Sequence, residues 1–169
     1  AKEKNIPFPS PWLSGLLDPF LNQSTFRLTP LVETNRGCPY HCAFCERGSN
    51  DKVSSNLRIF DFDMVIEELR YVVKKADHII KLYISDANFG ILPRDVAIAE
   101  EIRRLSDKYN NITRVIINNA KNTIKRTVAI TNILGNISVP DFPVQTFNKK
   151  VLENVDRKNI DLDLLAQYI

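Results

Sequence analysis

A chain of 169 residues with 44% hydrophobic and 25% charged side chains can bury a sizeable core and is too ordinary in composition to be disordered or collagenous. Its 23 basic and 20 acidic residues are interspersed, and the longest basic cluster, Lys121 with Lys125 and Arg126, predicts a solvated helix face and no nucleic-acid surface. No apolar run approaches the roughly 20 residues of a membrane-spanning helix and no secretory pattern is seen; three clustered cysteines make a poor disulfide framework, so a reducing cytoplasm is expected.

Residues 1–28 are punctuated by Pro7, Pro9, Pro11 and Pro19, yet Trp12, Leu13, Leu16, Leu17, Phe20 and Leu21 fall at helical spacing. A short helix starting at Pro11 is predicted, proline being tolerated at a first helical position. Leu31 to Asn35 is a strand candidate, and Gly48 to Asn56 a polar loop. Asp61 is a candidate N-cap for a helix through Lys75, with Phe62, Val65, Ile66, Leu69, Val72, Val73 and Ala76 on one stripe and Glu67, Glu68, Arg70 and Lys74 facing away. Ile79 to Ile84 is the clearest strand, ending in the polar turn Ser85-Asp86-Ala87-Asn88-Phe89-Gly90.

A second long helix is expected from about Pro93 to Tyr109, broken by Asn110-Asn111, and a third strand over Arg114 to Ile117. A further helix runs from Thr123 to Leu134 and closes at Gly135, the residue type favoured for a left-handed cap. Ile137 to Val139 and Pro143 to Thr146 suggest a broken fourth strand, since Pro140 and Pro143 disfavour a long central one. Asn148 caps a turn, and Asp161 is placed before a last helix, Leu162 to Tyr168.

Strand and helix alternate, the pattern of an α/β fold built from parallel βαβ units. The strands are nearly continuous apolar runs, as expected of a sheet covered on both faces. Each ends in polar side chains: Glu33 and Asn35, then Ser85, Asp86 and Asn88, then Asn118 and Asn119. Ligands of parallel α/β folds sit at that carboxyl edge. About four units fit, too few for an eight-stranded barrel of about 250 residues.

All three cysteines lie within Cys38-Pro39-Tyr40-His41-Cys42-Ala43-Phe44-Cys45, as Cys-x3-Cys-x2-Cys. Three thiolates on one tight loop suit a four-iron cluster with one iron left open for a ligand. The rival is zinc held by the same cysteines and His41, although four ligands from a single eight-residue loop would be unusual. His41 by itself is expected to face solvent. Phe44, Asp86, Asn88, Asn118, Asn119 and Gln145 each have an ordinary alternative role in packing, in turns or in satisfying strand ends.

The pattern resembles the signature of the radical S-adenosylmethionine (radical SAM) superfamily, with Phe44 at its usual aromatic position. Glu33-Thr34-Asn35-Arg36-Gly37-Cys38-Pro39 and Asp86-Ala87-Asn88-Phe89-Gly90 resemble motifs of its cobalamin-associated branch. Pro9 to Leu17 is similar to the linker that follows a cobalamin-binding domain there, and Val144 to Phe147 to the fourth strand.

The resemblance implies part of a TIM-like partial (β/α)6 barrel stopping after about four units, with residues 1–28 as linker and 29–169 as the partial domain. It implies a [4Fe-4S] cluster on Cys38, Cys42 and Cys45 and S-adenosylmethionine held by Phe44, Asp86, Asn88 and Gln145. It further implies reductive cleavage to a 5'-deoxyadenosyl radical, an electron donor such as a flavodoxin or ferredoxin, and a substrate that is a small molecule or of unknown class. Cobalamin and methyl transfer would involve a domain outside these residues. A non-catalytic zinc or cluster module, or an inactive truncated domain, is the alternative.

Overall fold

The computed structural model describes residues 9–22, 25, 29–45, 57–76, 78, 80–139, 141–159, 163 and 166. In chain order its elements are α1 (Asp18–Leu21), β1 (Leu31–Val32), β2 (Asn35–Arg36), β3 (Arg58–Ile59), α2 (Phe62–Lys75), β4 (Ile80–Ile84), α3 (Asp95–Tyr109), β5 (Ile112–Ile116), α4 (Ile124–Leu134), the 3-10 turn Gly135–Ile137 and α5 (Lys149–Asn154). The predicted loop Gly48 to Asn56 and most of the predicted last helix lie outside the described residues.

β1, β4 and β5 form a parallel sheet in the order β1-β4-β5, with α2 and α3 as the crossovers that parallel neighbours require. The chain has the expected α/β architecture of successive βα units. The fourth strand shrinks to one parallel bridge between Ser138 and Val115. It does not fall at Val144 to Phe147, which carries no ladder. Proline lacks the N–H that a ladder needs, and Pro140 and Pro143 flank the break.

Val32, Ile80, Leu82, Ile84, Ile112 and Val115 point to the helices and are buried with Val65, Leu69, Val72, Ile98, Ile102 and Leu105. A side chain of this kind with no exposure, such as Leu69 or Leu82, contributes about 1.5–3 kcal/mol by burial. The opposite face differs from the expectation of a doubly covered sheet. Leu31, Tyr83 and Ile116 are in register across it, and Leu31 and Ile116 are exposed among the described residues. Strand alternation places them there, and the helices of these units all pack on the other side.

α2 starts where expected: the Asp61 carboxylate accepts from Met64 N at 3.0 Å. Glu68 was expected to face solvent but is buried. The segment around Ser10 and Trp12 covers that side of the helix, so the buried arc is wider than the apolar stripe, and burial raises the Glu68 carboxyl. α3 ends on Asn110, whose φ of 51° turns the chain out of the helix. Glu101 of α3 is gripped by Arg104 and by Arg70 of α2, which hold its carboxyl down at about 2.

The helix predicted from Pro11 is delayed to Asp18, because Gly15 adopts a φ of 74° and interrupts it with turns. This segment is nonetheless anchored. Trp12 Nε1 donates to Leu31 O at 2.9 Å, satisfying a carbonyl of the edge strand β1. Asp18 accepts from Tyr71 Oη at 2.7 Å and pairs with Lys75 at 3.1 Å. Trp12 and Leu21 share one core with β4 and α3. Among the described residues, no helix is long and apolar enough to cross a membrane.

Candidate metal centre

β1 stops after two residues because the backbone beyond it has another partner. At the carboxyl end of β4, the buried Asp86 carboxylate accepts from Thr34 N at 2.7 Å and Asn35 N at 3.3 Å through one oxygen. Its second oxygen accepts from the Thr34 hydroxyl and from Asn35 Nδ2, the latter at 2.6 Å. The strand predicted to reach Asn35 is thus cut short. Asn35–Arg36 pairs instead with Arg58–Ile59 in an antiparallel ribbon that no pattern announced. Arg94 closes the corner by donating to Thr34 O at 2.7 Å and Phe60 O at 2.5 Å. Glu33 pairs with Arg36 at the surface. Gly37, at φ 110°, then turns the chain into Cys38, a backbone state that side chains resist.

Cys38 and Cys42 are 6% and 4% exposed, and Cys45 is partly exposed. Cys38 Sγ accepts from Asn88 Nδ2 at 3.2 Å, so the turn after β4 touches the loop after β1 directly. Cys42 Sγ faces two cations instead: Arg157 Nη1 at 3.7 Å and Lys121 Nζ at 4.0 Å. The loop is held from the far side too, since Ala43 N donates to Val155 O at 3.0 Å just past α5. Tyr40 lies under Lys121, 5.4 Å from ammonium to ring centre. Burial pushes the Tyr40 hydroxyl up, with Cys38 adding to the effect.

Phe89 and Gly90 of the Asp86-to-Gly90 turn are fixed by packing and by hydrogen bonds. Phe89 is fully buried and extends the sheet by a bridge to Asn119. Gly90, at φ 92°, donates to Asp95 Oδ2 at 2.8 Å, and a Cβ there would meet Ile130 Cδ1 at 3.3 Å. Gly90→Ala is expected to cost about 1–2 kcal/mol, the penalty for a side chain at positive φ, read as a lowered thermal midpoint. An unchanged midpoint would contradict this account of the turn.

Of the residues singled out by sequence, Cys38, Cys42, Asp86 and Asn88 come together around the carboxyl ends of β1 and β4. Phe44 is 54% exposed on the loop, beside Cys45. Asn118 and Asn119 satisfy backbone groups, donating to Asp86 O at 3.1 Å and Asp141 O at 2.7 Å. Gln145 is exposed, and among the described residues its backbone N–H is engaged with Asn159 Oδ1 at 3.4 Å. His41 is exposed, as expected. Lys121 and Arg157 were not anticipated at the site. Lys121 was assigned to a solvated face, yet it reaches back to Cys42 and Tyr40; its place just after the third strand, at the ligand edge, was the available signal. Arg157 lies in Val151 to Ile160, a stretch that resembles the family segment after the fourth strand, but the resemblance gives it no role of its own.

Three cysteines on one loop, two of them buried, are a donor set that a polynuclear cluster can use. Among the described residues, no three His, Cys, Asp or Glu side chains converge as a single metal ion requires. Zinc–sulfur bonds of about 2.3 Å would bring the three sulfurs within about 3.8 Å of one another. A cluster takes each thiolate on a separate iron. Buried N–H donors at two of the sulfurs, and the Arg157 Nε and Asn88 Oδ1 atoms, which have no hydrogen-bond partner among the described residues, fit a further group at this place.

The family model described as the radical SAM superfamily matches residues 32–164, from β1 past Arg157. The chain belongs to the radical SAM superfamily. It is 37% identical over 167 residues, 95% of its length, to the 2-(S-pantetheinyl)-carbapenam-3-carboxylate methyltransferase of Streptantibioticus cattleyicolor, covering 24% of that protein. It is 36% identical over 173 residues, 96% of its length, to the cobalamin-dependent radical SAM methyltransferase TokK of Streptomyces tokunonensis, covering 25% of it. This radical SAM chain therefore spans about a quarter of the length of the curated relatives it matches.

Proposed function

We propose that this chain is the cluster- and S-adenosylmethionine-binding core of a radical SAM enzyme that methylates a small molecule with the help of cobalamin. The carrying observation is the meeting of the Cys38–Cys45 loop with the turn after β4, through Asn88 on Cys38, in a chain of this superfamily. Cys38, Cys42 and Cys45 would ligate a [4Fe-4S] cluster, leaving one iron for the amino and carboxylate groups of S-adenosylmethionine. When bound and reduced, that cluster supplies the electron that cleaves the sulfonium to methionine and a 5'-deoxyadenosyl radical.

The chain's own residues bind and orient. Asn88 uses its Nδ2 on Cys38, and its buried Oδ1 is left as an acceptor for the substrate ammonium. Phe44, exposed beside Cys45, offers its ring to the adenine. Asp86 spends both oxygens on Thr34 and Asn35, so its part is to fix the approach to Cys38, not to touch the ligand. The exposed Gln145 amide would add a polar contact to the adenosine. Methyl transfer is supported by the names of both relatives and cobalamin by the name of TokK alone, and the electron would come from a flavodoxin- or ferredoxin-type donor.

The test is cleavage itself. After anaerobic reconstitution and strong reduction, S-adenosylmethionine should yield 5'-deoxyadenosine and methionine in equal amounts, and Cys42→Ala should abolish both. A cluster-loaded wild-type protein that forms neither, and whose electron paramagnetic resonance signal ignores added S-adenosylmethionine, would overturn the reading.

A further inference from the structure

We propose that Lys121 and Arg157 form a cationic seat for the Cys42 thiolate and raise the reduction potential of the cluster it helps to hold. The proposal rests on the cluster reading above. Its basis is an asymmetry among the three cysteines. Cys38 accepts from a neutral amide, and no side-chain hydrogen bond reaches Cys45 among the described residues. Among the described residues, the side-chain contacts from cations are to Cys42, and they come from two elements far apart in sequence: Lys121 in the loop after β5 and Arg157 after α5.

Arg157 is the stronger argument. It is 7% exposed, and a buried guanidinium is costly unless an anion accompanies it. No carboxylate pairs with Arg157 among the described residues. Its Nη2 donates to Pro143 O at 3.2 Å, its Nη1 faces Cys42 Sγ, and its Nε has no acceptor. Among the described residues, the group in reach that can carry compensating negative charge is the Cys42 sulfur, a thiolate when it ligates metal, together with the cluster it would bind.

The chain also fixes Arg157 in place. Its backbone N donates to Leu152 O at 2.9 Å, and the preceding Asp156 adopts a φ of 47° to make the turn. Lys121 also reaches Cys42 Sγ, its ammonium over the Tyr40 ring. Glu153 and Asp156 line the same cavity of about 510 Å³ but are exposed, and neither pairs with these cations among the described residues. Reduction adds a negative charge to a cluster, and fixed positive charge beside one ligand stabilises the reduced form. The seat would therefore make an electron easier to deliver, independently of how S-adenosylmethionine is bound.

The experiment is a redox titration of the anaerobically reconstituted full chain, with iron and sulfide measured on the same samples. Lys121→Met is expected to keep the cluster and shift its midpoint potential to more negative values. Arg157→Met should shift it further, and Arg157→Lys, which keeps the charge, should return it most of the way to wild type. A Lys121→Met protein with a full cluster and the wild-type midpoint overturns the proposal. So does an Arg157→Met protein that loses part of its iron while the remaining cluster titrates unchanged, because that is a purely structural role. Wild-type protein that takes up no iron overturns the cluster reading itself, so the two failures are told apart.

Discussion

Asp86→Ala is expected to destabilise the protein by about 3–5 kcal/mol, because it strands several buried donors at once. Thr34 N, Asn35 N, the Thr34 hydroxyl and Asn35 Nδ2 all lose their acceptor in a place without exposure. Asp86→Asn keeps an acceptor and should lose less. The pH dependence separates charge from hydrogen bonding. Burial pushes the Asp86 carboxyl up to about 6, against the Thr34 and Asn35 hydrogen bonds that favour its ionised form.

Between about pH 4 and 6 the folded protein therefore holds a proton that the unfolded chain has released. Stability is full below that window and falls as the pH rises through it, by about 3 kcal/mol for a shift of this size. Glu68 and Asp95, also raised by burial, add slopes of the same sign. Urea unfolding from pH 4 to 7 should thus show a shallower decline in Asp86→Asn than in wild type. Parallel declines would contradict the assignment.

Phe89→Ala is expected to cost about 3–5 kcal/mol, the usual consequence of an aromatic-sized cavity in a packed core. Phe89 is fully buried, and its backbone binds Asn118 O at 2.7 Å and Ala120 N at 2.8 Å. Its neighbour Asn88 carries the amide that meets Cys38. Relaxation of the turn into the cavity should therefore weaken iron retention as well as stability. Phe89→Leu, which fills most of the space, should lose less of both. Chemical denaturation and iron analysis on the same samples check this, and a loss below about 1 kcal/mol would show that the turn is not packed as described.

What the sequence made legible follows from what is local. The stripes of α2 and α3 and the apolar run of β4 are periodic, so their spans were readable within a few residues. The cysteine loop and the Asp86-to-Gly90 turn are short motifs, so their residues were identified before their contacts. β1 was read too long because its end is decided by Asp86, more than fifty residues away. Glu68 was misplaced because what covers it is the segment around Ser10 and not its own helix. Lys121 and Arg157 meet at Cys42 only after α5 docks against the loop, a long-range event that no local pattern records.

The central claim is that Cys38, Cys42 and Cys45 hold one iron–sulfur cluster. Metal and acid-labile sulfide analysis after anaerobic reconstitution tests it most directly. The account predicts about four irons and four sulfides per chain, with the cluster lost when any one of the three cysteines becomes alanine. One tightly held zinc per chain without sulfide, or undiminished iron and sulfide in Cys42→Ala, would contradict it.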